Sequence, residues 1–231
     1  MVAFHRRRFL PILLAAVLVP AFVTRAHCWS DDETEARGLV DRARVTLDAF
    51  ASDPSMEWFR SNLHNARGLL IVPTLIKGGF VVGGSGGSAV LLVSDPAAGG
   101  WSQPAFYTIG SVSLGLQIGG EAAEVIMMIR TQGAVDRLLR SSFKLGADSS
   151  IAVGPAGVGG KANVMADILS FSRAKGAYAG LSLEGAVVAI RDKLNAAYYG
   201  QPVNPVDIVV TRTVANDHSA ELRRSAAAIT R

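Results

Sequence analysis

Gly83-Gly84-Ser85-Gly86-Gly87 satisfies G-x-S-x-G, the pattern that presents a nucleophilic serine in many hydrolases. Such an elbow needs a strand, a sharp turn and then a helix, so that the serine projects and the helix start helps form the oxyanion hole. Ser88 to Val93 reads as a strand instead, so the glycines are expected to form a hairpin connection, where they supply positive φ. His218 follows in the chain order that a serine relay would use, but its sequence neighbours suggest no relay. Gly154 to Lys161 has the outline of a phosphate loop. Pro155 stands where the Walker pattern needs its first glycine, however, and Ala162 where it needs a metal-binding hydroxyl. His27, His64 and His218 lack the partner spacing of a metal site. Glu121, Glu124 and Glu184 sit at strand ends, where carboxylates are more often solvated or capping than paired for acid–base work. Trp101 and Phe106-Tyr107 could stack a sugar or base, but sheet aromatics more often fill a core. The chain is therefore expected to carry no metal, no cofactor and no catalytic site; it reads as not an enzyme.

The elements that would hold these residues follow from periodicity. Asp31 to Ser52 is helical: Ala36, Leu39, Val40, Ala43, Leu47 and Phe50 recur at three- and four-residue steps as one apolar stripe. A second short helix over Ser55 to Asn65 opens at Pro54. Leu69 to Val72 is a strand ended by Pro73, followed by the glycine-rich hairpin up to Val93. Val112, Leu114, Leu116 and Ile118 alternate with small or polar residues, as on a strand with one buried face. Val125 to Ile129 is a continuous apolar strand buried on both faces, and Ala134 to Arg140 a short helix. Further strands fit Ser150–Val153, Ile168–Arg173 and Tyr178–Leu183. Helices fit Ala186 to Tyr198 and Ser219 to Ile229. Many closely spaced strands between terminal helices predict an α+β fold: an antiparallel, barrel-like sheet core with N- and C-terminal flanking helices.

The first residues have the composition of a targeting signal. Arg6, Arg7 and Arg8 precede the apolar run Leu10 to Val23, and Thr24-Arg25-Ala26 follows with small residues at its first and third places. The run is short against the roughly 20 residues of a membrane span. Arg6-Arg7-Arg8-Phe9-Leu10 favours the twin-arginine route over the general secretory one. Residues 1–26 are expected to be a cleaved signal peptide, and 27–231 a single domain that is periplasmic or secreted. Cys28 is the sole cysteine, so no internal disulfide forms, and Arg25-Ala26-His27 is a poor lipidation signal before it. The whole chain holds 23 Lys+Arg against 19 Asp+Glu. The leader's four arginines account for that excess, which leaves no support for a nucleic-acid partner.

Several motifs in order carry a family resemblance. Ala66-Arg67-Gly68-Leu69-Leu70-Ile71-Val72-Pro73, Lys77-Gly78-Gly79-Phe80 and Gly83-Gly84 with Ala89 to Val93 resemble the opening of the SYLF domain. Trp101 to Tyr107, Gly115 to Gly119, Ser172-Arg173-Ala174-Lys175-Gly176, Leu181 to Ala186, and Asn195 with Tyr198-Tyr199-Gly200 continue it. The resemblance implies a lipid-binding module. Eukaryotic relatives bind phosphoinositide membranes through a basic N-terminal region and some bind actin; bacterial relatives are exported. Here the corresponding helix is acidic, with Asp31, Asp32, Glu33 and Glu35. Two functions follow: an exported, non-catalytic phospholipid- or membrane-binding domain, or a structural or protein-interaction domain of the cell envelope. For the first, the partner is an anionic phospholipid or membrane surface, and the candidate headgroup cations are Arg67, Lys77, Arg173 and Lys175.

Overall fold

The computed structural model describes residues 30–79, 82–95, 100–114, 119–155, 165–174 and 183–230. Helix α1 (Asp31–Ser52) is capped by the Ser30 hydroxyl, which accepts the Glu33 N–H at 3.1 Å. Asp31, Asp32 and Glu33 fill its first turn, where the helix dipole favours negative charge. Glu33 also pairs with Arg37 at 3.1 Å, and Glu35 with Arg191 beyond the helix. Much of the acidity of this segment thus serves the helix start and its docking. The apolar stripe is buried as its spacing predicts. Helix α2 (Glu57–Asn62) follows, flanked by the 3-10 turns Pro54–Met56 and Leu63–Asn65.

The sheet comprises β1 (Gly68–Gly79), β2 (Val82–Asp95), β3 (Gly100–Trp101), β4 (Ala105–Leu114) and β5 (Gly119–Ile129). After α3 (Gln132–Leu138) come β6 (Ser142–Lys144), β7 (Ile151–Val153), β8 (Ile168–Ala174) and β9 (Val187–Ile190). Then follow α4 (Asp192–Tyr199), α5 (Pro205–Val209) and α6 (Ala220–Ile229). The strand order is β6-β9-β4-β2-β1-β5-β8-β7, with β3 on the side of β2. Every pairing is antiparallel except β7 with β8, so the sheet is mixed. It curls into a half-barrel flanked by the terminal helices, an α+β fold.

Both faces of the central strands are covered. Leu70, Val72, Leu91, Val125 and Met127 pack with α3, α5 and β6 on one face. Leu69, Ile71, Val90, Leu92, Ile126 and Met128 pack on the other face against α1, α2, α4 and α6. This double burial is why Val125 to Ile129 is apolar at every position. Trp101, Phe106 and Tyr107 belong to these cores.

Four expectations are corrected. Gly83 to Gly87 form no turn: they lie inside β2, all paired with β4 on one side and Gly83 to Gly86 with β1 on the other. Pairing on both sides holds glycine extended against its local preference for turns. Pro73 does not end β1, because a register shift between Ile71 and Ile76 accommodates the residue that lacks an N–H. Val112 is not on a buried face; it is 82% exposed, and Leu116 and Ile118 lie outside the described residues. Residues 187–190 are strand, not helix: Val187-Val188-Ala189-Ile190 bridges β4 and β6, and the helix starts only at Asp192. The strand expected over Tyr178–Leu183 lies outside the described residues except for Leu183, which is buried.

Candidate functional site

The residues that suggested hydrolysis do not meet. Ser85 shares a 2.8 Å hydrogen bond with Ser111 on the next strand. His218 instead contacts the Tyr198 hydroxyl at 3.4 Å and Asp41 at 3.3 Å, tying α1 to α4 and to the turn before α6. Burial pushes the Tyr198 phenol well above its usual range, so it stays protonated and is no base. Gly154 lies against the Phe171 ring, and residues 156–164 are outside the described set. Among the described residues no three His, Cys, Asp or Glu side chains gather as metal ligands, and no helix is long and apolar enough to cross a membrane.

The four candidate cations do not form one cluster. Arg67 precedes β1, exposed, with its backbone tied to Ile129 and Ser94. Lys77 sits near the other end of the same strand, about 30 Å away at some 3.3 Å per residue. Arg173 on β8 donates to Glu124 on β5 and lies over the Phe50 ring at 5.9 Å. Glu124 also accepts from Thr46 of α1 at 3.0 Å, so Arg173 belongs to a contact that docks α1. Lys175 lies outside the described residues. Arg67 and Lys77 make no side-chain hydrogen bond or ion pair among the described residues.

Lys77 belongs to an unusual end of the sheet. Opposed residues on neighbouring strands share a face. Ile76 opposes Gly86 and Ala122, and Gly86 opposes Gly110. One step further, Gly78 opposes Gly84 and Gly120, and Gly84 opposes Val112. By alternation from Glu124, which contacts α1, these two rows lie on the helix-bearing face, past the edge of α1. Over four strands that surface is glycine and alanine, relieved by Ile76 at 62% exposure and Val112 at 82%. The opposite face carries a polar row: Lys77 opposes Ser85 and Glu121, and Ser85 opposes Ser111. The strand ends thus form a thin blade, smooth and apolar on one side and polar on the other. Sequence reasoning missed Ile76 and Val112 as exposed. The glycines recurring in four successive strands were the available signal.

A family model described as "Ysc84: Las17-binding protein actin regulator" matches residues 110–229, from the middle of β4 to α6. The chain belongs to the Ysc84 family. The SYLF resemblance in its motifs is the same relationship. An SH3 domain-containing protein of Schizosaccharomyces pombe is 40% identical over 146 residues, covering 60% of this chain and 34% of its own length. The human SH3 domain-containing YSC84-like protein 1 is 32% identical over 149 residues, covering 62% of this chain and 43% of its own. LAS seventeen-binding protein 3 of Saccharomyces cerevisiae is 31% identical over 145 residues, covering 60% of this chain and 31% of its own. The Ysc84-type chain described here therefore spans less than half the length of the curated relatives it matches.

Proposed function

We propose that this Ysc84-family domain is an exported, non-catalytic module that binds phospholipid membranes through the glycine-rich blade of its sheet. The observation that carries the reading is the bare face around Ile76 and Val112. Two large apolar side chains stand exposed on a surface of glycine and alanine, with Lys77, unpaired among the described residues, on the reverse side. A thin blade of this kind can enter the headgroup layer. Its apolar face then meets acyl chains, while Lys77 reaches anionic lipid, an attraction worth roughly 1 kcal/mol per cation. Arg67 is at the far end of β1, and Arg173 is already neutralised by Glu124, so neither shares the contact with Lys77. The leader-like residues 1–26 support export to a compartment facing a bilayer.

Co-sedimentation with anionic and zwitterionic vesicles at low and high salt tests this. Binding to anionic vesicles that weakens with salt is expected, since surface attraction is screened within about 8 Å at physiological ionic strength. Ile76→Asp with Val112→Asp should abolish binding without unfolding the protein, because both side chains are exposed. Absence of binding at low salt would sink the reading. Export is tested by the N-terminus of protein from its native host, which should begin near His27 rather than at Met1.

A second reading is a protein-interaction domain. It is favoured by the family description, which names Las17 binding and actin regulation, and by the SH3 domain in the names of relatives. The same bare sheet face would then be the docking surface, and vesicle binding would be absent while the domain remained folded.

A further inference from the structure

A cavity of about 520 Å³ lies between the end of β2, the β3 segment and α6, on residues with no part in the blade. Its charged lining is Asp95, Arg212, Arg223 and Arg224. These groups differ in how they are compensated. Arg224 pairs with Glu221 one turn away, and both are about two-thirds exposed. Arg212 pairs with Asp95, whose side chain is only 8% exposed. Arg212 is also the one non-glycine residue with positive φ, at 55°, among the described residues. That backbone state is costly for a side-chain-bearing residue and recurs at functional sites. Arg223 makes no hydrogen bond or ion pair among the described residues, and its Nε is buried without a partner. A half-buried guanidinium with no counter-charge is unfavourable, and an anion in the cavity would neutralise it.

The walls are fixed before any ligand arrives. The Gln103 side-chain oxygen accepts from the Ser219 hydroxyl at 2.8 Å and from the Asn216 N–H at 3.3 Å, holding the turn that leads into α6. Trp101, Val214 and Ala227 add an apolar wall. The cationic lining is arginine alone, and planar guanidinium forks suit the paired oxygens of a phosphate. The volume exceeds that of a bare anion and falls in the range of small-molecule sites.

We propose that this cavity binds the phosphate group of a small organophosphate, with Arg223 as the principal donor and Arg212, held by Asp95, as the second. The same chemistry is offered by a soluble phosphomonoester and by the headgroup of phosphatidic acid. The site is independent of the blade and does not rest on the membrane reading.

Calorimetric titration of the purified protein with inorganic phosphate and with glycerol 3-phosphate gives the soluble arm. Sedimentation with phosphatidic acid vesicles, against phosphatidylcholine vesicles, gives the lipid arm. Arg223→Gln should weaken binding by roughly tenfold or more, the loss of a charge-assisted hydrogen bond. Ala215→Phe, at an exposed position on the rim, should block the cavity without altering its charge or the core. Soluble binding lost in both variants supports the site with a soluble ligand. Vesicle binding lost in both, with no soluble affinity up to about 10 mM, supports it with a lipid headgroup. Absence of binding in both arms, or affinity unchanged in either variant, overturns it. With no soluble affinity, vesicle binding lost in Ile76→Asp but retained in Arg223→Gln would overturn this site while leaving the blade intact.

Discussion

Asn195 holds the backbone of Phe106 with both ends of its side-chain amide. Its Oδ1 accepts the Phe106 N–H at 2.9 Å and its Nδ2 donates to the Phe106 carbonyl at 3.3 Å. Asn195 is completely buried on α4, and Phe106 is the residue of β4 just before its pairing with β9 begins. The amide therefore gives the Phe106 N–H the partner that β9 does not supply, and it fastens α4 to the sheet.

Asn195→Ala should leave the Phe106 N–H buried without a partner. The carbonyl keeps the Arg191 N–H at 3.0 Å. The expected cost is about 1–3 kcal/mol in chemical denaturation. Asn195→Asp should cost more, because a carboxylate oxygen would then face the Phe106 carbonyl in a buried site. An aspartate variant as stable as the alanine one would show that the amide's donor end contributes nothing.

Two glycines of the blade should respond oppositely to alanine. A Cβ on Gly87 would lie 2.5 Å from the Thr74 carbonyl oxygen, at the β1 irregularity, whereas one on Gly78 meets nothing within 4 Å. Gly87→Ala should therefore destabilise by about 1–3 kcal/mol through overpacking. Gly78→Ala should be neutral or slightly stabilising, since alanine loses less backbone entropy in a strand. Equal melting temperatures for the two variants would contradict the close approach at Thr74.

Asp167 makes stability depend on acid. The Ser150 hydroxyl at 2.8 Å is the main reason its carboxyl sits below the ordinary value of 3.8; burial opposes this, and Thr131, the Ser150 N–H and Arg137 assist. A carboxylate with a lowered folded value stabilises the protein above the unfolded value, and the effect is lost as pH falls through the folded one. The gap between the wild type and Asp167→Asn should thus be widest at neutral pH and close below pH 3.8. Denaturation curves across that interval giving a constant gap would refute the assignment.

Arg173 and Glu124 should be coupled. Both side chains are 26% exposed, so solvent screening limits the pair to about 1 kcal/mol in a double-mutant cycle. Arg173→Ala should loosen α1 at Phe50 and Thr46, read as faster amide exchange there, while anionic-vesicle binding stays unchanged. Vesicle binding lost along with Arg173 would instead place that cation at the membrane.

The sequence by itself determined the elements whose signal is local. The stripe from Ala36 to Phe50 needs only helical periodicity and a core to face. Val125 to Ile129 needs only that both sides of its strand be covered, and the family motifs lie in linear order. Tertiary structure decided everything that depends on partners distant in the chain. Gly83 to Gly87 read as a turn because glycine's local preference points there, but two neighbouring strands supply hydrogen bonds that outweigh it. Val112 read as buried because alternation reveals that a strand has two faces, not whether anything covers either one. Arg173 read as a free cation until folding brought Glu124 beside it from 49 positions away. Arg223 lies within the helix expected over Ser219 to Ile229; only the folded chain, setting Asp95 and Arg212 beside α6, turns it into the wall of a cavity.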